Sequence, residues 1–195
     1  MAHTGSCIAT AEHSDAEVSA NMPVNAMEPD DAPQSHSFEP GLDNQRELRN
    51  ALGCFGTGVT VVTVSTPDGP FGMTVNSFSS VSLDPALILW SVDKGSERCA
   101  IFESAMHFTV NVLQENQQGL ALEFASDPES FRDLNWHGGL NGSPVLKGCL
   151  ATFECIQETL YAGGDHTIII GRVLRATVNS GEPLLFFRGK FGRVA

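Results

Sequence analysis

GMTVNSFSSVS, residues Gly72 to Ser82, is the stretch whose reading decides the fold. Met73, Val75, Phe78 and Val81 are interleaved with Thr74, Asn76, Ser77, Ser79 and Ser80, which suits a strand that passes into a loop with its apolar side chains turned inward. Gly72 lets a backbone approach closely, and the hydroxyl and amide groups after it are donors crowded into a short run. The stretch therefore reads as one wall of a ligand cleft. It reads equally well as a Ser/Thr-rich antiparallel strand at the surface, since no short catalytic motif claims it. Its neighbours have to decide.

Upstream, VTVVTVST (Val59 to Thr66) is β-branched almost throughout and PDGP (Pro67 to Pro70) is a strong turn, so a hairpin leads into the central stretch. Before that, DNQRELRNALGCF from Asp43 places Leu48, Leu52 and Phe55 on one helical face, with Asp43 or Asn44 as N-cap and Gly53, Gly56 and Gly58 as the stop. Downstream, ALILWSVD (Ala86 to Asp93) follows a Leu-Asp-Pro turn and reads as a strand buried on both faces. SERCAIFESA (Ser96 to Ala105) reads as a helix capped by Ser96, with Cys99, Ile101 and Phe102 inward.

HFTVNVL (His107 to Leu113) is the next strand and NQQGLALEFAS (Asn116 to Ser126) the next short helix. A loop from Asp127 to Ser143 has Phe131, Leu134 and Trp136 as its anchors, and loops of that length are functional or mobile. LATFECIQETLYA, TIIIGRVLRATV and EPLLFFRG then alternate with short turns, the spacing of antiparallel strands closing into a barrel. With no strand–helix–strand rhythm and no GxGxxG, a doubly wound dinucleotide fold is unsupported. The expected class is mainly β, with a few short flanking α-helices.

The formal charge of -12 is unevenly spread: residues 1–45 hold eight acids and no Lys or Arg. The remainder carries fifteen acids against eleven bases. This sets residues 1–42 apart as an acidic, disordered N-terminal extension and leaves 43–195 as the folded domain, whose mildly acidic surface argues against nucleic acid as a partner. The opening MAHTGSC lacks a secretory start and no apolar run reaches a membrane span of roughly 18 residues, so no membrane is expected. Five cysteines without a CxxC pair read as reduced thiols, which points to the cytoplasm, and the histidines lack metal-ligand spacing.

Three further segments carry candidate chemistry. SVDKGSER (Ser91 to Arg98) sets a strand end and a helix N-terminus at Ser96 beside Lys94 and Arg98, a niche for a phosphate. Its bland alternative is a cap flanked by solvated charges. In GGDHT (Gly163 to Thr167), Asp165 can orient His166 through one ring nitrogen and leave the other to a ligand, or the glycines simply turn the chain. In FFRGKF (Phe186 to Phe191), Arg188 and Lys190 can meet a phosphate or blunt a strand edge.

From about Arg46 to Arg193 the chain resembles the short-chain flavin reductases that supply reduced flavin to two-component monooxygenases. The resemblance is carried in order by LRNALGCFGTGVTVVTV, GMTVNSFSSVSLDPALIL, HFTVNVL, SPVLKGCLATFEC, GGDHTIIIGRV and PLLFFRGKF. It implies a split β-barrel with a Greek-key core, dimerised with each flavin near the subunit interface. It also implies hydride transfer from NADH or NADPH to free FAD or FMN, and release of the reduced flavin to a separate monooxygenase.

Position by position, the implied flavin contacts are Gly72, Met73, Thr74, Val75, Asn76 and Ser77 beside the ring and ribityl chain, with Ser91, Val92, Asp93, Ser96 and Arg98 nearer the phosphate. Gly164, Asp165, His166 and Thr167 would lie where the nicotinamide stacks, and Arg188 and Phe191 would close the set. The family often has Tyr where Phe191 stands. Asn76 is expected to stabilise charge on the reduced ring and His166 to hold the nicotinamide. Competing readings are a flavin-retaining oxidase of related split-barrel type and a non-enzymatic, barrel-shaped ligand carrier.

Overall fold

In the computed structural model, which describes residues 35–194, the Val/Thr-rich run after Gly58 forms a strand next to one edge of the larger sheet. A 3-10 turn at Leu42–Asn44 leads into α1 (Gln45–Leu52), followed by β1 (Thr57–Gly58), β2 (Thr60–Thr66), β3 (Gly69–Val75), β4 (Ser79–Leu83) and β5 (Ala86–Asp93). Next come α2 (Cys99–Ser104), β6 (His107–Val112), α3 (Gln118–Ser126), β7 (Trp136–Gly138) and β8 (Pro144–Leu146). Two long strands, β9 (Ala151–Gly163) and β10 (His166–Val178), precede the short β11 (Leu185–Phe187) and β12 (Lys190–Gly192). The chain divides into residues 1–39 and 40–195. Of the first unit only 35–39 are described, without helix or strand, so most of the acidic extension lies outside the described residues.

Seven strands form one antiparallel sheet in the order β3-β2-β6-β9-β10-β5-β4. Among the described residues no ladder joins β3 to β4, so hydrogen bonding does not close the sheet into the expected barrel. A three-stranded sheet, β1-β11-β12, and the β7-β8 pair stand beside it. The PDGP turn closes the β2-β3 hairpin at the expected place, with Thr66 opposite Gly69.

Alternation along the strands makes two apolar layers. Val62, Val64, Trp90, Val92, Phe108 and Ile169 point to one side, where Phe102 of α2 meets Trp90 edge-on at 5.1 Å. Val59, Val61, Leu113 and Leu184 point to the other, covered by Ala121 and Phe124 of α3 and by Phe131. Fully burying side chains of this size stabilises by roughly 1.5–3 kcal/mol each.

Several expectations need correction. Leu52 and Phe55 are 67% and 78% exposed, since α1 ends at Leu52 and, among the described residues, none buries its apolar face. Asn44 does stand at the N-cap of α1, but its side chain makes no capping hydrogen bond there; its Oδ1 accepts from the Gly41 N–H at 2.7 Å. In β5 only Ile88, Trp90 and Val92 are buried, while Leu87, Leu89 and Ser91 lie half-buried on the opposite face. A bulge between Ser80 and Ser82 turns Val81 outward. The long loop after Asp127 contains β7, which pairs with β8. Among the described residues no helix is long and apolar enough to cross a membrane.

Candidate active site at the open end of β5

β4 stops pairing with β5 at Ser79–Leu89, so among the described residues the backbone groups of Ser91 that face away from β10 have no strand beside them. Ser77 fills the gap. Its Oγ donates to Ser91 O and accepts from the Ser91 N–H, both at 3.0 Å. The loop Asn76–Phe78, which is all that separates β3 from β4, is thereby pinned to the end of β5 with the Asn76 side chain exposed. Thr60 Oγ1 holds the other end of the bend by donating to Val75 O at 3.1 Å.

The second and third segments meet at the next turn. Lys94 donates twice to the β9-β10 turn, its backbone N–H to Asp165 O at 2.9 Å and its ammonium to Gly164 O at 2.7 Å. Gly164 holds φ +72, a left-handed conformation that suits glycine. His166 pairs with Asp93 in register, and its Nδ1 lies 2.8 Å from Asp165 Oδ1. A carboxylate only accepts, so Nδ1 carries the proton and Nε2 is left to meet a ligand. That hydrogen bond, reinforced by the imidazole's charge when it is protonated, holds the exposed Asp165 carboxyl below its ordinary value.

Beyond Asp93 the expected helix start is displaced. The Ser96 N–H donates to Asp93 O at 3.0 Å and its Oγ accepts from the Arg98 N–H at 3.2 Å, but α2 begins only at Cys99. Ser96 thus sits in a turn before the helix and does not cap it. Arg98 directs its guanidinium to the C-terminal carbonyls of α3: Phe124 at 3.0, Ala125 at 3.3 and Ser126 at 3.1 Å.

Other expected residues have their side chains engaged. Gly72 is buried; its N–H donates to Pro128 O at 2.8 Å, and a Cβ there would lie 2.7 Å from the Phe124 ring. Thr74 Oγ1 donates to Ala121 O at 2.7 Å, while Met73 and Val75 pack on the core layer behind. Val92 is 1% exposed, which leaves only its backbone to a ligand. Thr167 is buried and donates to Glu103 Oε1 at 2.6 Å. The segments around Asn76, Asp93 and His166 are therefore one continuous rim.

The fourth segment stands apart. Arg188 adopts φ 48 at the two-residue turn between β11 and β12, with Gly189 at φ 77 beside it, a type I′ geometry in which arginine is strained. It is held by the turn that follows α1: its N–H donates to Gly53 O at 2.9 Å and Nη2 to the Cys54 thiol at 3.4 Å. Phe191 packs on Phe186. None of these contacts reaches the rim.

A hollow of about 500 Å³ lies elsewhere, between the β2-β3 turn and the end of α2, with Ser65, Asp68, Phe71, Met106 and His107 in its wall. No expected site residue lines it. The sequence reading missed Lys94 as the clamp between turns, and missed Phe124 and Pro128, which have no motif of their own. The signal for the latter was Gly72 itself, since a glycine inside a strand marks close approach by a neighbour.

Residues 52–195 match the family described as flavin reductase like domain. The chain is 53% identical over 161 residues to the FMN reductase (NADH) SmoA of Agrobacterium fabrum, covering 83% of this chain and 92% of that one. It is 40% identical over 148 residues to HsaB of Rhodococcus jostii, the reductase subunit of a flavin-dependent monooxygenase, covering 75% and 76%. Among solved structures, the NADH:FAD oxidoreductase SgcE6 of Streptomyces globisporus superposes with a TM-score of 0.79 at 40% identity, covering 86% and 96%.

Proposed function

Because the chain belongs to the flavin reductase like domain family, we propose that it is an NADH-dependent flavin reductase that reduces free FMN or FAD and passes the reduced flavin to a separate monooxygenase. The observation that carries this reading is the convergence of three donor-bearing segments, around Asn76, Asp93 and His166, on the end of β5.

Their chemistry fits a flat, phosphate-tailed ring. An exposed amide at Asn76, an oriented imidazole at His166 and the half-buried apolar side chains of Leu89 and Ile168 lie on or beside one open sheet face. When bound, the nicotinamide and the flavin supply the hydride donor and acceptor. Asn76 would donate to the pyrimidine edge, where negative charge accumulates, and so favour the reduced ring. Asp165 fixes the tautomer of His166, whose Nε2 would hold the carboxamide and move no proton. The turn Asp93–Ser96 would receive the phosphate side, with Lys94 holding that turn to Gly164 and Asp165.

The fold is a split barrel. β3 and β4 are the two edges of the seven-stranded sheet yet only three residues apart in the chain, which supports a sheet curled until its edges nearly meet. β3 passes into β4 through the Asn76–Phe78 bend without reversing direction, and the strand order is not sequential, with β6 lying beside β2 after β4 and β5 have gone to the far edge, which supports a Greek-key core. The protein works as a homodimer, supported by the outer face where Leu87, Leu89, Ile168 and Ile170 are half-buried and Tyr161 is 58% exposed. It resides in the cytoplasm, in keeping with the free thiols of Cys54, Cys99, Cys149 and Cys155.

The test is steady-state oxidation of NADH and of NADPH with FAD, FMN and riboflavin in turn, followed by filtration under nitrogen. The expected result is flavin-dependent NADH oxidation with reduced flavin in the filtrate. Flavin retained by the protein would favour an oxidase, and no NADH oxidation would leave a carrier.

A further inference from the structure

We propose that Arg98 is a positioning residue, whose guanidinium sets the separation of the two walls of the site by holding α3 against β3, and that it is not a phosphate ligand. The inference rests on the flavin reductase reading above. It starts from the C-terminal end of α3, where the last four carbonyls of any helix lack partners within it. Glu123 O is satisfied by the Asp127 N–H at 2.8 Å. The other three, on Phe124, Ala125 and Ser126, are the three that Arg98 takes. A delocalised, forked cation at the negative end of the helix is the side chain best shaped to serve three carbonyls together.

What α3 does with that anchor is read from its opposite side. Thr74 Oγ1 donates to Ala121 O, the Gly72 N–H donates to Pro128 O just past the helix, and the Phe124 ring occupies the space a Cβ on Gly72 would need. Among the described residues β3 is an edge strand, so these contacts cover an edge that no other described strand pairs. Arg98 follows the turn that carries Asp93 and Ser96, while Gly72 and Thr74 lead into Asn76. One wall is therefore tied to the other through α3, with Arg98 as the tie.

Two roles for the same cation separate in one experiment on the full chain. Arg98→Met and Arg98→Lys variants are titrated with riboflavin and with FMN, following quenching of flavin fluorescence, and amide exchange is measured across β3 and α3. Positioning predicts that Arg98→Met weakens both flavins by the same factor, about tenfold to a hundredfold for a wall displaced by an ångström. It predicts no rescue by lysine, which cannot span three carbonyls, and faster exchange at Gly72 and Asp127.

A phosphate ligand predicts loss for FMN alone, and rescue by lysine, which binds phosphate as a point charge. Either result overturns the proposal. If Arg98→Met fails to fold, Phe124→Leu carries the test, since it loosens the same contact with the cation in place; it too must weaken both flavins equally. A wild-type protein that binds neither flavin would overturn the functional reading and this inference with it, whereas FMN-selective loss overturns this inference alone.

Discussion

In a Gly72→Ala variant the new Cβ would lie 2.7 and 2.8 Å from Cε1 and Cδ1 of Phe124. Carbon atoms at rest stand about 3.5–4.0 Å apart, so roughly an ångström of overlap must be relieved. The ring cannot simply swing away: Phe124 is fully buried and meets Phe131 edge-on at 4.9 Å, and its own carbonyl is fixed by Arg98. β3 cannot retreat either, since the Gly72 N–H is bonded to Pro128 O and Thr63 lies opposite in the ladder.

Overpacking of such a site costs about 1–3 kcal/mol. With a urea slope of about 1–3 kcal/mol/M, the midpoint of unfolding should fall by about 1 M. Phe124→Leu alone should also destabilise, by opening a cavity, but the pair Gly72→Ala/Phe124→Leu should lose less than the sum of the two. A coupling of about 0.5–3 kcal/mol is expected for residues in direct contact. The flavin KM should rise in the single variant and recover in part in the double. Strict additivity, or an unchanged midpoint for Gly72→Ala, would refute the close approach of α3 to β3.

Three further outcomes follow from the same geometry. Ser77→Ala leaves the N–H and C=O of Ser91 without their hydroxyl; a loss of about 1–2 kcal/mol is expected in chemical denaturation, with a larger rise in KM for flavin than for NADH. Asp165→Asn should raise the NADH KM and leave flavin affinity near wild type. Because the Asp165 carboxyl is held below its ordinary value, the wild-type advantage should survive down through the usual aspartate range; a gap that closes near neutral pH would contradict the pairing with His166. At Glu154, burial raises the carboxyl, but hydrogen bonds from Arg175 and the Leu140 N–H, with the charges of Arg175 and His137, outweigh it and leave it lowered. The folded value lies below the unfolded one, so the stabilisation is complete above the ordinary glutamate range and is lost as pH falls through the folded value. Arg175 is 45% exposed and water screens the pair, so Glu154→Gln should cost about 1–2 kcal/mol at neutral pH and converge with wild type in acid; parallel curves would exclude that linkage.

What could be read from sequence was what is encoded locally. The Val59–Thr66 run, the PDGP turn and the Gly-Asp-His turn carry their own backbone preferences, and each stands where expected. β5 has the expected bounds but an apolar run cannot say which of its faces is covered, and Leu87 and Leu89 turned out half-open. The helix after Ser96 begins three residues later because Ser96 and the Asp93 carbonyl close a turn first, a competition between two uses of the same backbone.

Least legible were long-range partners. Nothing in the residues around Arg98 announces that three carbonyls 26 to 28 positions away will claim it. The clasp of Lys94 on Gly164 is hidden for the same reason, as both groups are exposed and polar and would be assigned to solvent.

Amide hydrogen exchange of the wild-type protein with and without FMN locates the flavin directly. Protection is expected at residues 73–77, 91–96 and 163–167, with Ser65 to Asp68 and Met106 to His107 around the separate hollow unchanged. Protection of that hollow, with the end of β5 exchanging as before, would contradict the assignment of the site.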